Sequence, residues 1–169
     1  VKVLYKDATL NLALDTIERD KQALVFVNTK KSAEKVAEEV SKKLATGDKL
    51  EQLAEQVRND LAHPTQQCER LARCCRKGVA FHHAGLTSNQ KTLIENAFRA
   101  GTLRIISCTP TLAAGLDLPA FRTIIRDLKR FGPRGMTQIS VLEYLQMAGR
   151  AGRPDYEQYG ESICVSTSD

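Results

Sequence analysis

A chain of 169 residues, 42% hydrophobic and 27% charged, has the size and make-up of one ordinary globular domain around a single core. No apolar run approaches the length that spans a bilayer and no charged-then-apolar leader opens the chain, which argues against membrane and secreted classes, while five irregularly spaced cysteines fit a reduced, cytoplasmic compartment. The net charge of +5 leaves two readings open, a polyanionic partner or a mildly basic solvated surface.

In chain order, residues 1–5 read as a strand, and an abrupt start there without an initiator Met points to a piece of a longer chain. Residues 10–18 predict a helix with Leu10, Leu14 and Ile17 on one face. Residues 23–27 are the continuous apolar run of a strand buried on both faces. Residues 32–44 carry Ala33, Val36, Ala37, Val40 and Leu44 at helical spacing. Two more helical stretches, 49–61 and 65–76, break near His63 and Pro64. A short strand at 78–81 precedes a helix at 87–99, which Thr87 can cap and Gly101 follows. Strands at 103–108 and 123–126, a helix at 141–150 and a last strand at 162–165 complete the series.

This alternation predicts an α/β domain with a mostly parallel sheet flanked by helices. In such sheets ligands gather at the carboxyl ends of the strands. Asn28 and Thr29, the loop after Phe81, and residues 109–118 fall there.

Five irregularly spaced cysteines fit reduced, buried or half-buried thiols. Cys68, Cys74, Cys75, His82 and His83 contain no C-x-x-C pair and match no common zinc module, so no metal site is expected.

Three segments carry chemistry. In Cys108-Thr109-Pro110-Thr111 a strand ends, Thr109 can cap a helix and Pro110 suits its first turn. Free backbone N–H groups there suit a phosphate, and an ordinary capped helix explains the same residues. In Gly115-Leu116-Asp117-Leu118-Pro119 an acid is held between apolar anchors, where it can accept from a ribose hydroxyl, pair with an arginine or stabilise a turn. In residues 146–154, QMAGRAGRP, Arg150 and Arg153 share a face if the helix continues that far. Glycines between them let a ligand approach, and arginines match phosphate oxygens. A solvated basic helix end is the plainer reading. The chain contains no G-x-x-x-x-G-K-[ST] phosphate loop and no Asp-Glu pair after a strand to hold magnesium. An ATPase whose site is shared between two domains accounts for both observations.

Together these segments resemble the second RecA-like domain of superfamily 2 helicases. Residues 23–30 with Ser32-Ala33-Glu34 look like motif IV, VAFHHAGLT at 79–87 like motif IVa of the superkiller-like branch, TPTLAAGLDLP at 109–119 like motif V, and QMAGRAGRP like motif VI. RDLKRF, VLEYLQMAGRAGRP and YGES are similar to the archaeal HelQ/Hjm DNA helicases. The resemblance implies the second motor domain of an ATP-dependent helicase that unwinds forked or 3′-tailed DNA 3′ to 5′ in replication-fork repair, close to the nucleoid of an archaeon. ATP and Mg2+ would be held mainly by a first RecA-like domain. Single-stranded and forked DNA, that first domain and further domains of the same chain are the implied partners.

Residue by residue, Gln146, Arg150 and Arg153 match the ATP-contacting motif, with Arg153 as the arginine finger. Gly115 and Asp117 match the coupling loop near the nucleotide, although many HelQ-like members carry Asn at the position of Asp117. Thr109 and Thr111 match strand-backbone contacts of motif V, and Thr29, His83 and Gly85 those of motifs IV and IVa. For the histidines, satisfaction of loop backbone groups is the alternative reading.

Residues 126–141 carry Arg126, Lys129, Arg130 and Arg134, with Phe131 and Met136 flanking Gly132-Pro133-Arg134-Gly135. Gly and Pro mark a turn whose flanks can pair as a hairpin. In the resembled family a hairpin between motifs V and VI parts the duplex, which implies a wedge. A surface hairpin whose Phe packs on its own domain is the alternative. Two further alternatives for the whole chain are an RNA helicase of the superkiller-like branch and a nucleic-acid-binding module without ATPase.

Overall fold

Residues 23–26, 79–82, 105–108 and 122–125 are buried at every position, so apolar residues fill consecutive places on both faces rather than alternating, with His82, Ser107, Arg122 and Thr123 as the buried polar exceptions. The computed structural model describes residues 1–112, 118–153, 157 and 159–166, with backbone only at 48 and 130–132. In chain order the described elements are α1 (Ala8–Glu18), β1 (Ala23–Phe26), α2 (Lys30–Ser41), a 3-10 turn (Asp48–Leu50), α3 (Glu51–Arg58), α4 (Gln66–Cys75), β2 (Val79–His82), α5 (Ser88–Arg99), β3 (Ile105–Cys108), β4 (Arg122–Ile125), β5 (Lys129–Gly132), β6 (Gly135–Gln138), α6 (Val141–Ala148) and β7 (Glu161–Cys164).

Five strands pair in the order β2-β3-β1-β4-β7, all parallel. The expected parallel α/β sheet is therefore present. β5 and β6 form a separate antiparallel hairpin between β4 and α6, closed by the pair Gly132 and Gly135. Side chains set the helix starts. Asp7, Thr29, Thr65, Thr87 and Ser140 each accept a hydrogen bond from a backbone N–H of the first turn, and Thr87 and Gln90 complete a capping box.

Two expectations fail for physical reasons. Residues 1–5 form no strand: Leu4 N and Tyr5 N both donate to Asn11 Oδ1, and Asn11 Nδ2 returns a bond to Tyr5 O. The side chain of Asn11 thus takes the backbone groups that a sheet neighbour would have needed. The helix expected over 141–150 stops at Ala148, with Gly149 as its cap. Beyond it Ala151 pairs with Ala120, and Gly152 N donates to Ala120 O at 2.6 Å, drawing the chain off the helix axis. Arg150 and Arg153 consequently do not share a helical face.

The largest fully buried side chain is Arg122, at the start of β4. Its Nη1 donates to Asp15 Oδ2 (2.9 Å), Thr16 Oγ1 (3.0 Å) and Leu12 O (3.2 Å), while Nε and Nη2 reach Glu161 Oε2 (2.9 and 2.7 Å). One guanidinium thereby ties α1, β4 and β7 together. Burial pushes the Asp15 carboxyl up, but hydrogen bonds from Arg122 and Arg19 outweigh it and hold the group below its ordinary value.

Cys68, Cys74, Cys75 and Cys108 are buried, and Cys164 is exposed. Burial pushes the Cys74 thiol up to about 12, which keeps it protonated. No helix among the described residues is long and apolar enough to cross a membrane.

Candidate functional site

Because all five strands run the same way, the sheet has one carboxyl edge and one amino edge, separated by roughly 13 Å for four-residue strands. The residues singled out in the sequence divide between them.

At the carboxyl edge, Thr29 follows β1, is exposed and accepts from Ser32 N at 3.0 Å. A hydroxyl that accepts this bond keeps its own O–H to donate. After β3, the hydroxyls of Thr109 and Thr111 lie 3.0 Å apart, with Thr111 exposed. The turn they open runs into 113–117, so Gly115 and Asp117 lie outside the described residues.

After β2, His83 is 2% exposed and stacks on Phe81 with ring centroids 5.6 Å apart. Its Nδ1 accepts from Gly85 N (3.0 Å), and its Nε2 faces Glu34 Oε1 (3.4 Å). Both ring nitrogens are therefore engaged within the domain, as in the backbone-satisfying alternative. A Cβ at position 85 would sit 2.9 Å from His83 Cε1, so the turn requires glycine. His82 Nε2 lies 2.9 Å from Glu95 Oε1. Burial, opposed by these carboxylates, lowers both histidine pKa values, and the rings are neutral near pH 7.

The hairpin rises from the same edge. Asn28 fixes its base: Asn28 N donates to Asp127 Oδ2 (2.9 Å) and Asn28 Nδ2 to Lys129 O (2.8 Å). The Arg126 guanidinium forks onto Asp127 at 3.0 Å through both Nε and Nη2. A cleft of about 450 Å³ lies at this base, lined by Asn28, Arg126, Asp127, Lys129 and Met136 among others. Lys129 and Arg134 are exposed, and Met136 is 57% exposed. Phe131 pairs with Met136 and Arg130 with Thr137 along the backbone; the side chains of Arg130 and Phe131 lie outside the described residues.

Motif-like residues 146–153 lie at the opposite, amino edge. Gln146 is exposed on α6 beside buried Met147. Arg150 is half-buried, and its carbonyl accepts from Ala120 N at 2.9 Å. Arg153 Nε donates to both oxygens of Glu157 (2.9 and 3.0 Å), its Nη2 also contacts Glu157, and its Nη1 contacts Gln22 Oε1. Lys21 Nζ stands 3.7 Å from Glu157. Burial pushes the Glu157 carboxyl up, but its bonds to Arg153 and the charges of Arg153 and Lys21 prevail and hold it below its ordinary value. Gly152 has φ +95, and a Cβ on Gly160 would run into the backbone N and Cα of Gly152. Glycine at both positions lets the approach to β7 pass directly against the arginine-bearing loop.

Sequence reasoning missed Gln22, Asp127, Glu157 and Gly160, and it placed Asn28 at the carboxyl edge without its part in fixing the hairpin base. YGES was noticed only as a family likeness, whereas the close approach at Gly160 is its physical content. For Gln22 no local signal exists, because its partner Arg153 is 131 positions away.

Residues 5–155 match the model of the helicase conserved C-terminal domain. The chain is 51% identical over 166 residues to a protein of Methanocella arvoryzae named ATP-dependent DNA helicase Hel308, covering 95% of this chain and 22% of that protein. Proteins of the same name from Pyrococcus horikoshii (46% identity over 161 residues; 94% and 22% covered) and Methanococcus vannielii (38% over 173 residues; 100% and 23% covered) are also similar. The chain thus spans about a fifth of the length of the curated relatives it matches. With a five-stranded parallel sheet, flanking helices and a family match over most of its residues, this chain belongs to the helicase conserved C-terminal domain family and has its RecA-like fold.

Proposed function

We propose that this chain is the second motor domain of a longer ATP-dependent DNA helicase that unwinds 3′-tailed or forked DNA in the 3′-to-5′ direction. The observation that carries the reading is the division of the sheet: an arginine-bearing loop on the amino edge, and exposed hydroxyls and a basic hairpin on the carboxyl edge. The names of relatives at 38–51% identity support ATP and DNA as the ligands.

In this reading ATP, with Mg2+, is held mainly by a first RecA-like domain of the same protein and supplies the free energy for movement. Arg153 and Arg150 approach its phosphates from the amino edge, with Gln146 beside them. Arginine matches this task because its planar, permanently charged donors fit phosphate oxygens as charge shifts during transfer. Thr29, Thr109 and Thr111 donate to the phosphates of one DNA strand, and Gly85 offers backbone in a turn that His83 holds. Gly115 and Asp117 would lie between the two sites as the coupling loop. The hairpin, with Arg126, Lys129, Arg130, Phe131, Arg134 and Met136, separates the duplex. Opening and closing of the cleft between domains alternates the phosphate contacts and moves the strand.

In the full-length protein, Arg153→Ala is expected to lower ATP turnover by a factor on the order of a thousand while DNA affinity stays within a few-fold. Turnover close to that of the unaltered protein would refute the assignment. The chain alone is expected to hydrolyse no ATP. Equal unwinding of 3′-tailed RNA and DNA would overturn the choice of DNA.

A further inference from the structure

We propose that Gln22 and Glu157 are positioning residues for Arg153, holding its guanidinium in one orientation and anchoring that orientation to the backbone where α5 meets β3. The inference rests on the reading of Arg153 as the phosphate-facing arginine.

Gln22 is 2% exposed and directly precedes β1. Its Nε2 donates to Phe98 O at 2.6 Å, in the last turn of α5, and to Leu103 O at 2.7 Å, ahead of β3. Both acceptors are carbonyls, so the amide fits only one way round and its Oε1 must face Arg153 Nη1. The acceptor that meets Arg153 is therefore fixed by backbone that belongs to neither α6 nor the loop after it.

Glu157 completes the hold from the other side. Its side chain is 3% exposed and takes Nε and Nη2 of Arg153 on one carboxylate. Glu157 N donates to Arg153 O at 2.9 Å, so backbone and side chain close on the same residue. Gln22 accepts on Nη1 while the carboxylate grips the Nε–Nη2 side, which leaves the plane of the guanidinium little freedom to turn. An arginine ordered before its ligand arrives loses less freedom on binding, and small misplacements at a reacting centre lower rates steeply.

The test uses the full-length protein. Glu157→Gln keeps the shape and removes the charge, Glu157→Asp keeps the charge, and Gln22→Met keeps the size and removes the acceptor. Turnover, affinity for a fluorescent non-hydrolysable ATP analogue and melting temperature are read for each, alone and combined with Arg153→Ala. Glu157→Gln and Gln22→Met are expected to lower turnover about ten- to a hundredfold, and to weaken analogue binding several-fold. Glu157→Asp is expected to recover part of both. Neither change should add to the loss already caused by Arg153→Ala.

Turnover and analogue affinity within about twofold of the unaltered protein for Glu157→Gln, beside an inactive Arg153→Ala, would overturn the inference and leave the finger assignment standing. A loss that persists undiminished in the Arg153→Ala background would overturn it as well, because it would act through the fold. A melting temperature that falls with Gln22→Met leaves Glu157→Gln and Glu157→Asp to decide. Near-normal turnover in Arg153→Ala alone would refute the underlying reading instead.

Discussion

At the carboxyl ends of the strands most candidate ligand groups are lightly held: Thr29 caps a helix through one bond, Thr109 and Thr111 meet each other, and Met136 and Lys129 face solvent, while buried His83 and the Arg126 fork on Asp127 are the exceptions. At the amino ends Arg122 is held by Asp15 and Thr16 of α1 and Glu161 of β7, and Arg153 by Gln22 ahead of β1 and the buried carboxylate of Glu157. The difference suits different tasks. A surface that slides along a nucleic-acid backbone needs accessible donors that bind and release. A residue that meets charge developing on a phosphate needs an orientation set in advance.

The contrast can be broken most strongly through Arg122. Arg122→Ala removes the side chain that joins Asp15 to Glu161 and empties the buried space it fills, which is expected to cost about 3 kcal/mol. Denaturant or thermal unfolding of the chain checks this. A cost near that of losing one exposed cap, about 1 kcal/mol, would show that the amino edge is no more firmly built than the carboxyl edge.

Shortening the hairpin across residues 131–136 probes the other side. In the full-length protein, unwinding is expected to fall about tenfold or more while DNA-stimulated ATP turnover and stability hold, since a tenfold rate change reflects only about 1.4 kcal/mol at the strand junction. Equal loss of unwinding and turnover would remove the wedge role.

The smallest effect is in pH. His82 and His83 have pKa values lowered from 6.5 in the fold, so unfolding takes up protons as the pH drops. Their contribution is complete above pH 6.5 and is lost as pH falls through the lowered folded values. Asp15 and Glu157 are also lowered, from 3.8 and 4.5, so their contributions are lost only in more acidic solution. The melting temperature should be level above pH 7, decline from about pH 6.5, and decline again below about pH 4.5. His82→Gln should blunt the first step and leave the second. A single acid transition beginning below pH 4.5 would contradict the buried, neutral histidines.

The alternation of strands and helices was legible because β1 to β4 are buried on both faces, so that most of their positions are apolar, and because Thr87 marks the start of α5 as a side-chain cap. Residues 1–5 have the same apolar character, yet their fate depends on Asn11, a polar residue on the next helix. Of the site, the arginines of 146–153 were visible as chemistry, but their edge of the sheet was not. Their place follows from the bridge between Ala151 and Ala120 and from the contact between Gln22 and Arg153, both long-range events that local spacing does not encode. Arg122 escaped notice for the same reason, since a lone arginine opening a strand gives no hint that Asp15 and Glu161 will close around it.

The division of labour between the edges is tested most directly by comparing Arg153→Ala with the double change Thr109→Ala and Thr111→Ala in the full-length protein. ATP turnover at saturating DNA and affinity for single-stranded DNA are measured for both. The account predicts a crossed result: Arg153→Ala loses turnover and keeps DNA affinity, whereas the threonine pair loses DNA affinity and keeps turnover once DNA is saturating. Parallel losses of both quantities in both variants would contradict it.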